Sequence, residues 1–442
     1  MTAKLLIECS PGEVRAYLVA EGRLGDIRIE RDLDEPRLQE IWLGRIVGLL
    51  PAMPAALVDL GEERPALLEA RDLPKGMEFA SLHEGQAVIV QVRRAAQGGK
   101  STGLTMRVRL VGSGAVLRPF GQEGEKTERR GGREPAPEDI APLERRWTEI
   151  LARSAKAKPP ERLEAAGKAI DLILAAFAET PLEAIVLDDR GVQASARHWC
   201  LAHRPEIADA VTYEAGSLLD RHEISDQVET LFTPRVALPG GGAITIEPVT
   251  AATFIDVDSG TASLSKSEAR DPEALALKVN LEAAEEVARQ LRLRNLAGAV
   301  VVDFISLQRR DRRDAVLARL RESLRGDTCA PDVKGWTKLG HIELTRRRER
   351  APLHEILYER RVGGGLVPKL ETLALEALRR AAREGEADAS RPLSLAVHPG
   401  IAGLLEGPML DARRELERRL GRPIDLASEP QRAPESFDIR RL

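Results

Sequence analysis

Aromatic residues are scarce in this chain of 442 residues, which contains only 7 Phe, 4 Trp and 3 Tyr. A protein that stacks many bases, sugars or steroid rings on aromatic faces needs more of them. An excess of positive charge is also missing, because 66 Lys and Arg face 70 Asp and Glu and leave a net charge of −4. This balance excludes a uniformly basic coat for nucleic acid and leaves only local basic patches as candidates.

Cysteines and long apolar runs are equally sparse. Cys9, Cys200 and Cys329 are odd in number, far apart and without a CxxC pair, which excludes a zinc ribbon, an Fe–S cluster and a disulfide framework and fits a reducing compartment. The N-terminus has no sustained apolar segment, and the longest apolar stretch, residues 297–305, contains Asp303. We therefore expect a cytoplasmic protein without a signal peptide or a membrane span.

The first third of the chain reads as short strands. Residues 1–35 alternate with period two and predict a strand pair followed by a third strand. Five further short strands, punctuated by Gly and Pro between residues 38 and 115, favour a small antiparallel barrel of OB type. The alternative is an extension of one larger sheet. Residues 121–139 contain almost nothing apolar and predict a linker or surface loop.

The remaining two thirds alternate helices with strands. Helical patterns cover 161–179 and 216–232, with a strand at 183–189 between them. Strands that end near residues 258 and 303 flank a helix predicted over 272–294. Strand–helix–strand with this periodicity predicts a mixed α/β layer, and a small αβ unit follows at the C-terminus.

Acidic residues lie at the ends of two apolar strands. Asp256 and Asp258 share one face of their strand because side chains alternate, and Asp303 ends the next strand after one intervening helix. Carboxylates that converge at one rim repel each other unless a cation joins them, and Mg²⁺ is the usual partner in phosphate chemistry. The alternative is that each Asp merely caps or turns its strand.

Arginines crowd the same region in three clusters, and an anionic polymer could lie across them. A solvated helix end, where cations are favoured, explains the first cluster alone. His341 and His398 have no partner at metal-ligand spacing and are predicted to be structural. The three clusters are Arg289, Arg292 and Arg294; Arg309, Arg310, Arg312 and Arg313; and Arg346, Arg347, Arg348 and Arg350.

One ordered set of segments resembles the ribonuclease E/G family of endoribonucleases. The set is FIDVDSG, then NLEAAEEVARQLRLRNLAG at 280–298, then VVVDFISL and HIELTRRR. The opening MTAKLLIE, the segment EIWLGRIVGLLPAMPAALVDLG and the tail from ETLALEALRRA onward also fall in family order. The resemblance covers nearly the whole chain.

The resemblance implies an α/β multidomain protein. Its catalytic domain would be DNase I-like, its RNase H-like domain would be split by an inserted S1/OB barrel, and a small αβ domain would end the chain. The implied ranges are 1–36 and 168–231 for the RNase H-like domain, 37–116 for the barrel, 117–167 for a reduced sensor region, 232–352 for the catalytic domain, 353–370 for a link region and 371–442 for the C-terminal domain.

The resemblance also implies Mg²⁺-dependent hydrolysis of single-stranded RNA in RNA processing, including rRNA processing. One Mg²⁺ ion per active site would be held by Asp256 and Asp303, and Asp258 would orient or join these ligands. Lys100 matches the family's lysine in the barrel. The other residues expected to hold the RNA backbone are Arg292, Arg309 and Arg346.

Several positions depart from the family pattern. The family has Asn where this chain has Asp258. Tyr358 and Arg361 stand where the family's zinc-binding cysteines would be, so we expect no zinc, and any homo-oligomer would form without a zinc-link.

The positions for substrate recognition depart as well. Leu57 and Leu67 align with the family's RNA-stacking phenylalanines, which predicts weak stacking there. The 5′-phosphate motif falls around 119–140, in the polar segment, and a sensor arginine is replaced by Ala330. These losses predict no strong sensing of 5′-monophosphates. They leave open a non-catalytic RNA-binding or ribosome-associated relative, and a metal-dependent phosphatase is a third interpretation.

Overall fold

The structure is a computed structural model of the chain. It forms two compact units, the first comprising Met1–Ile29, Pro181–Gln193 and Ala210–Leu442 and the second Glu30–Thr180 and Ala194–Asp209. No helix in the part of the chain that the structure describes is both long and apolar enough to cross a membrane. The described residues are 3–32, 38–94, 101–112, 115–120, 127–129, 137–165, 167–263, 271, 273–348, 350–361, 365–387 and 391–441.

Strands and helices alternate along most of the described chain. The strands are β1 (Ala3–Ser10), β2 (Glu13–Ala20), β3 (Arg23–Arg31), β4 (Ile41–Leu50), β5 (Ala55–Asp59), β6 (Ala66–Glu69), β7 (Ala87–Arg94), β8 (Gly103–Thr105), β9 (Leu110–Val111), β10 (Ala115–Leu117), β11 (Thr127–Arg129), β12 (Glu161–Glu164), β13 (Leu182–Leu187), β14 (Val211–Tyr213), β15 (Arg235–Ala237), β16 (Ala243–Pro248), β17 (Ala252–Asp258), β18 (Gly298–Asp303), β19 (Asp332–Trp336), β20 (Ile342–Arg346), β21 (Tyr358–Arg360), β22 (Leu366–Pro368), β23 (Leu393–Val397), β24 (Ile424–Ser428) and β25 (Asp438–Arg441). The helices are α1 (Pro137–Ser154), α2 (Ala169–Ala176), α3 (Arg190–His203), α4 (Leu218–Arg221), α5 (Ser225–Glu229), α6 (Ala274–Leu293), α7 (Arg310–Ser323), α8 (Leu353–Leu357), α9 (Leu370–Ala387), α10 (Pro399–Glu406) and α11 (Leu410–Leu420).

The described residues of the first unit form three sheets of three or more strands. The N-terminal sheet has the order β3-β2-β1-β13-β14, with β1 antiparallel to β2 and parallel to β13. The central sheet has the order β15-β16-β17-β18-β20-β19. The C-terminal sheet has the order β24-β23-β25, and α9, α10 and α11 belong to the same C-terminal part. The mixed α/β character predicted from the sequence is confirmed.

The central sheet is buried on one face. Alternate residues of its strands join a core with the apolar stripe of α6, in which Val279, Ala283, Val287 and Leu291 recur every fourth residue. Each fully buried Val or Leu side chain in this stripe contributes roughly 1.5–3 kcal/mol. The residues between them in the strands point to the opposite face, where several side chains are exposed. This open face carries the candidate site.

The second unit contains a closed barrel of five strands. β4, β5, β6, β8 and β7 pair in that order, and a further pairing of β4 with β7 closes the ring. Four of the five pairings are antiparallel, and β6 pairs with β8 in parallel. The barrel predicted from residues 38–115 is confirmed, and the alternative of one larger sheet is wrong.

Three sequence-based expectations differ from the structure. Residues 161–164 were predicted as the start of a helix but form β12, which pairs with the edge of β4, so the helix begins only at Ala169. The helix predicted over 216–232 is interrupted, because Glu223 has a φ of 55° that a helix does not accommodate. The edge strand β19 was not anticipated. Pro272, predicted to open α6, lies outside the described residues.

Candidate active site on the central sheet

The two acidic strand ends meet at one rim of the central sheet. β17 and β18 run parallel, and their register places Asp256 directly beside Asp303. Both side chains are exposed and lie on the open face, because Ile255 and Val302 of the same strands point into the core. The strand–helix–strand connection through α6 places β17 and β18 side by side in parallel, so the chain folds locally into a pair of adjacent carboxylates.

A cavity of about 400 Å³ opens at this rim. Its volume lies at the lower end of the roughly 300–1,000 Å³ that small-ligand sites occupy. The side chains around it mix acidic, hydroxyl, aromatic and imidazole groups. Those that the argument uses are Thr245, Glu247, Phe254, Asp256, Asp303 and His341.

His341, expected to be a structural residue, lines the cavity next to Asp303. Its Nε2 lies 3.6 Å from Oδ1 of Asp303, too far for a hydrogen bond but within the range of an ion pair. The register explains the contact, because the neighbouring Ile342 pairs with Val302, next to Asp303. His398 does have a structural role, since its Nδ1 accepts a hydrogen bond from the amide of Gly400 at the start of α10.

Asp258 lies on the same face as Asp256 but has other partners. Its carboxylate accepts two hydrogen bonds from the guanidinium of Arg235, at 2.6 and 3.2 Å, and a third from the amide of Gly260. The hydrogen bond from Arg235 lowers the pKa of Asp258. Asp258 is therefore a neutralised neighbour of the rim, and it is not one of the residues that line the cavity.

Asn280 holds the segment that follows Asp303. Its side-chain amide donates to the carbonyl oxygen of Ile305 at 2.8 Å, and its side-chain oxygen accepts from the amide of Ile305 at 3.0 Å. This explains why a polar side chain is buried at this position of α6, because both hydrogen-bonding groups of the Ile305 backbone are satisfied inside the protein. These two hydrogen bonds restrain the backbone that follows Asp303.

The donor set at the rim suits a hard divalent cation. Asp256 and Asp303 have no Lys or Arg within ion-pairing distance among the described residues, so their oxygens are available. Mg²⁺ is commonly held by one or two carboxylates and completes its shell with water and substrate phosphate. The described residues contain no group of three or more potential ligands, so they do not form a closed metal cage by themselves.

Arg346, expected to contact RNA, lies at the other end of the sheet. It pairs with Gly298, the first residue of β18, whereas Asp303 is the last. Its guanidinium is buried and binds Asp327 through two hydrogen bonds of 2.9 and 3.1 Å. The side chains of this ion pair are only 3% and 1% exposed. A guanidinium so enclosed cannot reach a phosphate, and we correct our assignment accordingly.

The other cations expected to contact RNA differ in accessibility. Arg292 donates to the carbonyl oxygen of Ser323 at 2.8 Å, and burial lowers its pKa, so its role is structural. Arg309 is exposed and pairs with Asp311 just before α7. Lys100 lies outside the described residues. Of the three arginines expected to hold the RNA backbone, Arg309 is therefore the accessible one.

Two leucines on the barrel occupy the positions that the resemblance aligns with stacking phenylalanines. Leu57 and Leu67 pair across β5 and β6, and both are partly exposed. Trp42 packs against the barrel core, and its Nε1 donates to Glu40. Neither leucine offers a flat ring face to a base.

The positions that depart from the family pattern have local structural surroundings. Tyr358 begins β21 and packs edge-on against Phe232, and the amide of Arg361 bonds to the carbonyl oxygen of Gly365. Ala330 follows α7 with a φ of 45°. Most of the polar segment 121–139 lies outside the described residues, although α1 already begins at Pro137.

Six of the eight residues that line the cavity were not identified from the sequence as site residues, and four of these six carry polar or aromatic side chains. Thr245 lies opposite Asp256 and Glu247 opposite Phe254 in the antiparallel pair β16–β17, and His341 immediately precedes β20. The alternation of β17 was a usable signal for Phe254, since it shares the face of Asp256. Finding the other three requires the register between strands, which a single strand's pattern does not contain.

Comparison with known proteins gives one consistent result. The sequence model of the "Ribonuclease E/G family" matches residues 112–349. The protein named Ribonuclease G from Salmonella typhimurium is 27% identical over 492 aligned positions that cover 99% of both chains, and the one from Haemophilus influenzae is 27% identical with the same coverage. Ribonuclease E from Haemophilus influenzae is 30% identical over 97% of this chain and 51% of its own length.

Proposed function

Because the chain belongs to the ribonuclease E/G family, a family of endoribonucleases, we propose that it hydrolyses single-stranded RNA with a Mg²⁺ ion held at the rim of the central sheet. The observation that supports this proposal is the register of β17 and β18, which makes neighbours of Asp256 and Asp303 on an exposed face. Two carboxylates without a Lys or Arg partner in the described chain are suited to a site for a divalent ion and an RNA phosphate.

Asp256 and Asp303 would each provide a carboxylate oxygen to the ion. When bound, the ion supplies an activated water and stabilises the charge that develops on the phosphate. Asn280 fixes the backbone beyond Asp303, and His341 limits the positions that the Asp303 carboxylate can take. Asp258 would act indirectly, by holding Arg235 next to the rim.

RNA would be held mainly through its backbone. Arg309 is accessible for a phosphate contact, and Lys100 keeps the role that the resemblance implies. Phosphate contacts give weak sequence preference and strong dependence on salt. We expect products with a 5′-phosphate and no strong preference for substrates with a 5′-monophosphate, because Ala330 has no charge.

The strand orders support the domain layout that the resemblance implies. The order β3-β2-β1-β13-β14, with β1 antiparallel to β2 and parallel to β13, fits an RNase H-like sheet. The closed barrel fits an S1/OB domain. The central sheet would be the DNase I-like catalytic layer, and the unit from β23 onward would be the small C-terminal domain.

The test is a cleavage assay with a labelled single-stranded RNA, with Mg²⁺ or with EDTA. We expect Mg²⁺-dependent cleavage by the wild-type protein and none by Asp303→Asn. The matched control is Asp332→Asn, which changes an exposed carboxylate on β19 of the same sheet and should cleave normally. Comparing 5′-hydroxyl and 5′-monophosphate RNAs checks the expected lack of preference for the 5′ end. A large preference for the monophosphate would refute it.

A second candidate function is RNA binding without catalysis. The pairing of Arg235 with Asp258 favours it, because a cation beside the rim opposes the binding of Mg²⁺. Wild-type protein that binds the RNA but does not cleave it would support this alternative. Cleavage that persists in Asp303→Asn would instead remove the proposed site and leave the activity to another part of the chain.

A further inference from the structure

Phe254 is an exposed aromatic residue inside the candidate active site. Half of its surface is exposed, although Phe is among the residues most often buried. It lies two residues before Asp256 on the same face of β17, a separation of about 7 Å along the strand. It also lines the same cavity as Asp256, Asp303 and His341.

The ring of Phe254 has neighbours of two kinds. Val301 is its partner across β18, and Glu247 is its partner across β16. Within the described chain, the ring meets no other aromatic ring and no guanidinium. An aromatic face without a partner, next to a partly exposed Val301, is a flat apolar surface that faces the solvent of the cavity.

The charges around Phe254 restrict what can lie on it. Glu247 on β16 and Asp256 further along β17 are both exposed carboxylates. They repel a phosphate that approaches the ring directly, whereas the ion proposed at the rim would attract a phosphate there. A neutral planar group attached to the same chain as that phosphate fits both features. In RNA this group is a nucleobase.

We propose that Phe254 is the stacking platform for a nucleobase next to the scissile phosphate. This inference rests on the function proposed above and adds to it a requirement for an unpaired base, because a base in a duplex does not expose its face to a side chain. Stacking is tolerant of base identity, since every base has a π-face. The subsite therefore contributes binding and single-strand selectivity without reading the sequence.

The experiment combines protein variants with abasic RNAs in a double-mutant cycle. A short single-stranded RNA is made in versions that each lack one base, and the dissociation constants are measured with Asp303→Asn protein, which does not need to cleave. The second protein also carries Phe254→Leu, which keeps an apolar side chain but has no ring. Phe254→Trp preserves a ring, and Val249→Ala is a control at an exposed apolar residue beside β16.

We expect that one abasic position weakens binding about tenfold in the Phe254 protein, and that Phe254→Leu removes most of this penalty at that position only. Phe254→Trp should keep the penalty, and Val249→Ala should leave it unchanged. An equal penalty in the Phe254 and Leu proteins at every position would overturn the proposal. Because this experiment measures binding, its outcome can be distinguished from the outcome of the cleavage assay. If Phe254 and one base are coupled but the wild-type protein does not cleave RNA, the stacking platform is retained and the nuclease function is rejected.

Discussion

The carboxylates at the two ends of the central sheet differ in their exposure and in their ion pairing. At one end, Asp256 and Asp303 are adjacent, exposed and without a cationic partner from Lys or Arg among the described residues. At the other end, Asp327 is buried and held by Arg346 through two hydrogen bonds. A buried charge needs a partner because its desolvation is expensive, whereas water supports exposed charges at little cost. The difference separates a structural ion pair from a site that can receive a cation.

The same difference explains why clusters of arginine in the sequence are not equivalent. Arg346 stabilises the sheet, and its guanidinium also donates to the side-chain oxygen of Asn295 and to the carbonyl oxygen of Leu296. Arg309 is exposed near the beginning of α7. Proximity in sequence to an acidic rim therefore predicts a role in RNA binding only where the side chain also reaches solvent.

The largest expected effect comes from breaking the buried pair. Arg346→Ala should lower the free energy of unfolding by about 3–5 kcal/mol, because it leaves Asp327 as an unpaired buried charge. Asp303→Asn at the exposed end should change it by less than about 0.5 kcal/mol. Urea unfolding of both variants checks the contrast, and Arg346→Lys tests whether charge alone suffices. Equal stability of Arg346→Ala and wild type would contradict the assignment of Arg346.

A fourth carboxylate, which directly follows β13, sharpens the comparison because it is half-buried and has no direct cationic partner among the described residues. Asp188 accepts a hydrogen bond from the amide of Cys9 at 2.7 Å, and burial raises its pKa to about 7, with Glu8 adding a smaller repulsion. The folded state therefore holds a proton that the unfolded state has already lost. The stabilisation that the protonated Asp188 contributes is fully present below about pH 4 and is lost as the pH rises through 7.

We expect the wild-type protein to lose about 2–4 kcal/mol of stability through this group between pH 4 and 8. Asp188→Asn keeps an acceptor for the Cys9 amide but does not ionise, so its stability should fall less over the same range. The measurement is urea unfolding of both proteins at several pH values. Parallel pH profiles of the two proteins would show that Asp188 is not protonated in the folded state.

The smallest expected effect concerns Arg235 at the exposed end. Arg235→Ala removes the cation bound to Asp258 and makes the rim more negative. We expect the Mg²⁺ concentration for half-maximal cleavage to fall about two- to fivefold, since the interaction is screened by water. Lys334→Ala is the control, because it frees the exposed Asp332 on β19 of the same sheet. A higher Mg²⁺ requirement in Arg235→Ala would mean that Arg235 supports the site by orienting it.

Much of the site follows from patterns within single elements. Period-two alternation puts Asp256 on the open face, the stripe of α6 identifies its buried side, and the strand–helix–strand order brings Asp303 beside Asp256. The same alternation in β20 puts Arg346 on the face of Ile342 and Leu344, a signal that we did not apply. It would have indicated that Arg346 is buried.

The rest depends on pairings that no single segment contains. His341 reaches Asp303 only because β20 is antiparallel to β18 with that register, and Glu247 reaches Phe254 through the pairing of β16 with β17. β12 forms because the edge of the barrel offers unpaired backbone groups to a segment whose local sequence favours a helix. Tertiary context decided each of these cases.

The central claim is that Asp256 and Asp303 act as one unit. The most direct test is the single-turnover cleavage rate of the wild-type protein, Asp256→Asn, Asp303→Asn and the double variant at saturating Mg²⁺. We predict that each single substitution lowers the rate by about 10³-fold or more and that the double variant is no slower than the singles, because groups that act as a unit are not additive. A double variant that loses the product of the two single effects would show independent roles and contradict the account.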